Sequence, residues 1–148
     1  MKRLVPVFAA FLVLLSVRVS AETWSDEEII VRAVASSYPE ASLGAKTAIC
    51  SVIRNRIASD GFGDCAAEVI RAENSGFDAA RLCCAVDAKN ARITRDACTA
   101  AMKGADPTGG ALYFEKLPEP SRKDNRVAFE AGMDVSKYTA VIGGFGFW

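Results

Sequence analysis

The chain has 148 residues, with 18 basic and 18 acidic side chains and no histidine. The missing imidazole excludes a Ser-His-Asp triad, a Cys-His pair and every metal site that needs histidine. Carboxylates, hydroxyls, thiols, lysine and arginine remain for chemistry, and the length supports one domain with a real core.

Met1, Lys2 and Arg3 precede an apolar run over residues 4–17, and Val19, Ser20 and Ala21 follow it. A charged start, an apolar stretch and a small-residue cleavage site describe a secretory signal peptide over residues 1–21. The run is short for a bilayer span and Arg18 breaks it, so no stable membrane anchor is expected after cleavage. Residues 22–148 then form a single domain. That domain carries 15 basic and 18 acidic side chains, a formal charge of −3. A mildly acidic surface argues against nucleic acid or anionic lipid as a partner.

Secretion makes disulfides the default state of Cys50, Cys65, Cys83, Cys84 and Cys98. A bridge from Cys65 to Cys83 or Cys84 closes a loop of fewer than about 20 residues. The odd count leaves one thiol over, and Cys50 reads as a small buried hydrophobe on an apolar helix face. The Cys-x₂-Cys spacings of an all-cysteine zinc site are absent, and the sequence names no metal and no cofactor.

Ser25 followed by Glu28 is a capping box that starts a helix through Ile29, Ile30, Ala33 and Val34. Ser36, Ser37 and Pro39 end it. A second helix is expected over residues 41–58. Ala45, Ala48, Ile49, Val52, Ile53 and Ile57 recur there at three- and four-residue steps and define one buried face. Residues 65–72 predict a short third helix, 73–76 a loop and 81–88 a weakly helical segment. Residues 94–103 predict another helix, with Ala97, Ala100 and Ala101 small enough for close packing. Residues 117–126 read as a polar, proline-bearing loop, and a last short strand ends at Phe147 and Trp148. Helices with a small late sheet make an α+β domain.

Between those last helices and strands the sequence turns a corner. Gly104 sits where a helix C-cap glycine belongs. Pro107 forces Asp106 out of helical geometry. Gly109 and Gly110 permit a tight turn with positive φ, and residues 111–114 follow as an apolar, aromatic strand.

The run Asp106-Pro107-Thr108-Gly109-Gly110-Ala111-Leu112-Tyr113 resembles the signature of the SleB/CwlJ-type cell-wall hydrolases, the spore-cortex-lytic enzymes. Asn55-Arg56-Ile57 at the end of an apolar helix and Ile142-Gly143 near the C-terminus fit the same family in order. The resemblance covers roughly residues 27–148. It implies a lysozyme-like, lytic-transglycosylase-like architecture, with peptidoglycan glycan strands as the partner. A monomer is expected.

Glycoside cleavage needs a carboxylic acid near the scissile oxygen. The family keeps its catalytic glutamate at the end of the first helix, and counting back from Asn55 places that position at Ser37. The chain therefore departs from the family there. It departs again at Phe145, where the family has a histidine. Glu40 is the nearest substitute acid, and Glu115, closing the strand after the corner, is the second candidate. Tyr113 and Ser37 are the candidate substrate-binding residues. Arg54 and Arg56 are expected to be structural. Two functions stay open: a secreted glycosidase or lytic transglycosylase acting on peptidoglycan, and a catalytically silent protein of the same fold that binds it.

Overall fold

The computed structural model describes residues 24–118 and 135–148. The expected signal peptide and most of the polar loop lie outside these residues. Four α-helices come first: α1 (Asp26–Ser37), α2 (Leu43–Ile57), α3 (Ala66–Arg71) and α4 (Ala88–Met102), with a 3₁₀ turn at Ala79–Cys83. Three short strands follow: β1 (Phe114–Lys116), β2 (Ala140–Ile142) and β3 (Phe145–Phe147). The sheet is antiparallel in the order β1-β3-β2, with Gly146 paired to both Glu115 and Val141.

Ser25 caps α1 by accepting from the Glu28 amide at 3.3 Å. The reciprocal half of the capping box is replaced, because the Glu28 carboxylate turns to Arg32 at 3.0 Å and Arg95 at 3.2 Å. Helix α4 starts six residues before the expected position. Asp87 caps it by accepting from the Asn90 amide at 2.8 Å. Strand β1 begins at Phe114 and not at Ala111. Ahead of it, the Leu112 and Tyr113 amides still donate to the Trp148 carbonyl at 3.0 and 2.9 Å. Gly143 and Gly144 join β2 to β3 with φ of 56° and 83°. Two consecutive positive values suit a tight hairpin whose twist matches its strands.

Helix α2 is the hub. The expected face is buried except for Ile57, and so are Lys46, Cys50, Ser51 and Arg56. A single apolar face was too narrow a reading, since α1, α3, α4 and β2 all pack around this helix. Its polar members are tolerated because each finds a partner. Ser51 donates to the carbonyl of Ala105 at 2.7 Å. Lys46 Nζ donates to Thr94 Oγ1 at 3.1 Å, to Pro39 O at 3.4 Å and to Asn90 Oδ1. Burial pushes the Lys46 amine below its ordinary pKa, opposed by Cys50 and Glu40. Ala97, Cys98 and Ala101 are the small buried residues of α4, which packs against α2 and α1.

All five cysteines are free thiols. The expected Cys65 bridge is not formed: Cys65 is half-buried at the start of α3, while Cys83 and Cys84 are exposed at the end of the 3₁₀ turn. Cys50 is a small buried group, as its helix face suggested. Among the described residues, no helix is long and apolar enough to cross a membrane.

Candidate functional site

The corner is held by one carboxylate. Asp106 Oδ1 accepts from the Thr108 amide at 3.0 Å and from Thr108 Oγ1 at 2.6 Å. Its Oδ2 accepts from the Gly110 amide at 3.0 Å and from Asn55 Nδ2 at 3.0 Å, with Arg54 at 3.4 Å. Burial raises the Asp106 pKa, but the hydrogen bonds from Thr108, Asn55 and Gly110 outweigh it and hold the group below the usual carboxylate value. Gly109 and Gly110 take φ of 68° and 90°, as the turn requires. Arg56, buried, donates to the carbonyls of Leu112 and Ser75 at 2.6 Å each. Both arginines are thus tied to backbone carbonyls or to Asp106, Arg54 through Ala101 O at 2.5 Å. The corner motif is a scaffold that sets the position of the strand after it.

That strand carries two of the candidates. Tyr113 and Glu115 are two residues apart, so they point to one face. Tyr113 is 45% exposed and lies near-parallel to Trp148, with centroids 5.8 Å apart and 18° between planes. Tyr138 meets the same indole at 5.7 Å, and the Lys137 ammonium lies 5.2 Å from its centroid. Glu115 Oε1 accepts from Lys137 Nζ at 2.6 Å and from the Tyr138 hydroxyl. These two bonds hold the Glu115 carboxyl below the usual glutamate pKa. The result is an exposed aromatic shelf, Tyr113 beside Trp148, bordered by Tyr138 and ending at an ionised carboxylate.

Gly146 makes room for this arrangement. A Cβ there would lie 2.4 Å from Tyr138 Cε1, so the phenol ring rests on the glycine backbone opposite Glu115. Sequence reading missed Lys137, Tyr138 and Trp148. The available signal was glycine between two phenylalanines in the last strand, which marks a close approach.

The other two candidates lie in different surroundings. Glu40 is exposed between α1 and α2. It lines a cleft of about 420 Å³ together with Pro39, Lys46, Asp87, Lys89 and Asn90. Ser37 ends α1, and its Oγ is buried with no hydrogen-bond partner. The next residue, Tyr38, packs edge-on against Phe77, Phe114 and Phe145, the last at 5.2 Å. Phe145 is 3% exposed and belongs to the core. Tyr113 and Glu115 therefore share the surroundings of Trp148 and Tyr138, while Glu40 lines the cleft with Lys46 and Asn90. Among the described residues, no three His, Cys, Asp or Glu side chains gather as a metal site.

Residues 40–139 match a family described as cell wall hydrolases. The matched span takes in Glu40, Asn55, the corner and Glu115; Ser37 and Phe145 fall outside it. The structure also resembles the crystal structure of the catalytic domain of the Bacillus cereus SleB protein. The TM-score is 0.61 at 22% sequence identity, over 82% of this chain and 88% of that one. This likeness establishes the fold, the α+β, lysozyme-like architecture with a small late sheet. Comparison with curated proteins gives no match.

Proposed function

The chain belongs to the cell wall hydrolase family, and on that premise we propose that it is a secreted hydrolase of peptidoglycan glycan strands, of glycosidase or lytic-transglycosylase type, working outside the cytoplasm as a monomer. The observation that carries this reading is the exposed shelf of Tyr113 and Trp148 ending at Glu115. Aromatic rings offer an apolar face and a polar edge, the combination that a sugar ring meets. The Glu115 carboxylate, kept ionised by Lys137 and Tyr138, suits the stabilisation of positive charge at the cleaved carbon, or the role of base. Glu40 is the acid proposed to protonate the leaving oxygen. Ser37, at the end of α1, is proposed as the second substrate-binding residue beside Tyr113.

A second reading is a catalytically silent protein that binds the same glycan. It is favoured by Ser37 at the family's catalytic position and by Phe145, packed into the core where the family has histidine. One experiment separates the two. The mature protein is incubated with purified peptidoglycan, and released muropeptides and pelleted protein are both measured. An active parent whose rate falls by about 10² to 10⁴ in Glu40→Gln supports the assignment of the general acid. An active parent whose Glu40→Gln keeps its rate refutes the Glu40 assignment, and Glu115→Gln then tests whether Glu115 takes part in the reaction. A parent that pellets with the wall and releases nothing supports the silent reading, and activity gained in Ser37→Glu then identifies an otherwise intact cleft. A parent that neither pellets nor releases fragments refutes both.

A further inference from the structure

Lys46 is 1% exposed, yet among the described residues it forms no ion pair. Its ammonium donates to three neutral oxygens: Thr94 Oγ1 at 3.1 Å, Pro39 O at 3.4 Å and Asn90 Oδ1. These acceptors satisfy its hydrogens and leave its charge uncompensated. Buried charges are ordinarily paired, because an isolated one is costly to take out of water.

The unpaired charge stands at the wall of the 420 Å³ cleft that also holds Glu40, and Lys89 on α4 adds a second cation there. Lys89 is exposed and, among the described residues, likewise forms no ion pair. Two acids line the same cleft. Asp87 is engaged as the cap of α4, accepting from the Asn90 amide at 2.8 Å. Glu40, as the proposed general acid, enters the reaction protonated and neutral. The working cleft then sets two ammonium groups against one carboxylate. A ligand with one negative charge complements it.

We infer that this cleft binds a carboxylate of the substrate: Lys89 makes the contact, and Lys46 behind it supplies a weakly screened positive field. The pair thereby selects a carboxylate-bearing sugar or peptide over an uncharged N-acetylhexosamine. The identity of that ligand rests on the peptidoglycan reading above, whereas the unpaired charge of Lys46 does not. Peptidoglycan offers such a group in two places, the lactyl ether of its muramic acid and the end of its stem peptide.

The test is an NMR titration of the full-length chain with N-acetylmuramic acid, D-alanyl-D-alanine and N-acetylglucosamine, each at low and at high salt. At least one of the two acids should shift the backbone amides of Lys46, Lys89 and Asn90, and which one does so identifies the source of the carboxylate. It should bind about tenfold more tightly than N-acetylglucosamine, the effect of one charge-assisted contact, and high salt should erode the difference. Lys89→Gln should abolish that preference and Lys89→Arg should keep it. Lys46→Met should abolish it too, and the titration of the parent decides the question where that variant fails to fold. Equal affinity for N-acetylglucosamine, an unchanged preference in Lys89→Gln, or no shift at these amides with either acid overturns the inference. Shifts confined to Tyr113 and Trp148 also overturn it while leaving the cell-wall reading intact. A carboxylate bound at Lys89 by a protein that neither pellets with the wall nor releases fragments supports the charge-complementing site and refutes the cell-wall reading.

Discussion

Replacing Asp106 with alanine removes the acceptor on which the corner converges. Four donors lose it at 3.0 Å or less: the Thr108 amide, Thr108 Oγ1, the Gly110 amide and Asn55 Nδ2. They do not lose equally. Gly110 is exposed and can turn to water, and Asn55 Nδ2 keeps the Ala111 carbonyl at 3.2 Å. Thr108 is 1% exposed, so its two donors are stranded. At about 1–2 kcal/mol for each stranded group, the loss is about 2–4 kcal/mol. For a domain of this size that is a fall in Tm on the order of 10 °C. Calorimetry at pH 7 measures it, with Glu115→Ala as the exposed-carboxylate control expected to change stability by less than about 0.5 kcal/mol. The pH dependence has a defined sign. The folded Asp106 pKa is depressed, so its stabilisation is complete above the unfolded value of about 3.9 and is lost as pH falls through the folded value. The gap between parent and Asp106→Ala should therefore narrow on acidification. A gap under about 1 kcal/mol at pH 7, or one that widens in acid, would refute the claim that this carboxylate organises the corner.

Three further outcomes are expected. Gly109→Val and Gly110→Val should each cost roughly 1–3 kcal/mol from backbone strain alone, since nothing lies within 4 Å of a Cβ at either position; two melts identical to the parent would contradict the positive-φ turn. Gly146→Ala should displace Tyr138 and destabilise by about 1–3 kcal/mol through overpacking, and it should weaken pelleting with peptidoglycan by the route of the disturbed shelf; unchanged melting and unchanged pelleting would show that the ring is not seated there. Lys46→Ala should cost about 2–4 kcal/mol, because it opens a cavity and leaves Asn90 and Thr94 short of a donor, and a loss below about 0.5 kcal/mol in urea titration would show that the buried amine is dispensable.

How much of this was legible in the sequence depended on the range of the interaction involved. The Ser25 cap, the glycine corner and the apolar spine of α2 are local signals, and each was placed correctly to within a few residues. The early start of α4 was missed although Asp87 is a local cap, because residues 88–93 carry no apolar repeat to draw attention to it. The burial of Lys46 was not legible, since Asn90 and Thr94, which satisfy it, lie more than 40 residues away. The short-range bridge expected from Cys65 is not formed, because spacing along the chain does not set the distance between α3 and the 3₁₀ turn. At the candidate site, Tyr113 and Glu115 were found from the strand. Their partners Lys137, Tyr138 and Trp148 reach them only through the pairing of β1 with β3.

That pairing also leads to an expected order of assembly. β1 and β2 touch only through β3, the last of the three in the sequence. β2 and β3 are joined by a two-glycine turn and can zip within microseconds, whereas β1 must be brought in across a long stretch of chain at an entropic cost that grows with its length. The hairpin is then the template and β1, carrying Glu115, the late arrival. Substitutions in the Gly143-Gly144 turn should chiefly slow folding, while those in β1 should chiefly hasten unfolding. The shelf beside Glu115 is accordingly expected to form after the hairpin and to be lost before it.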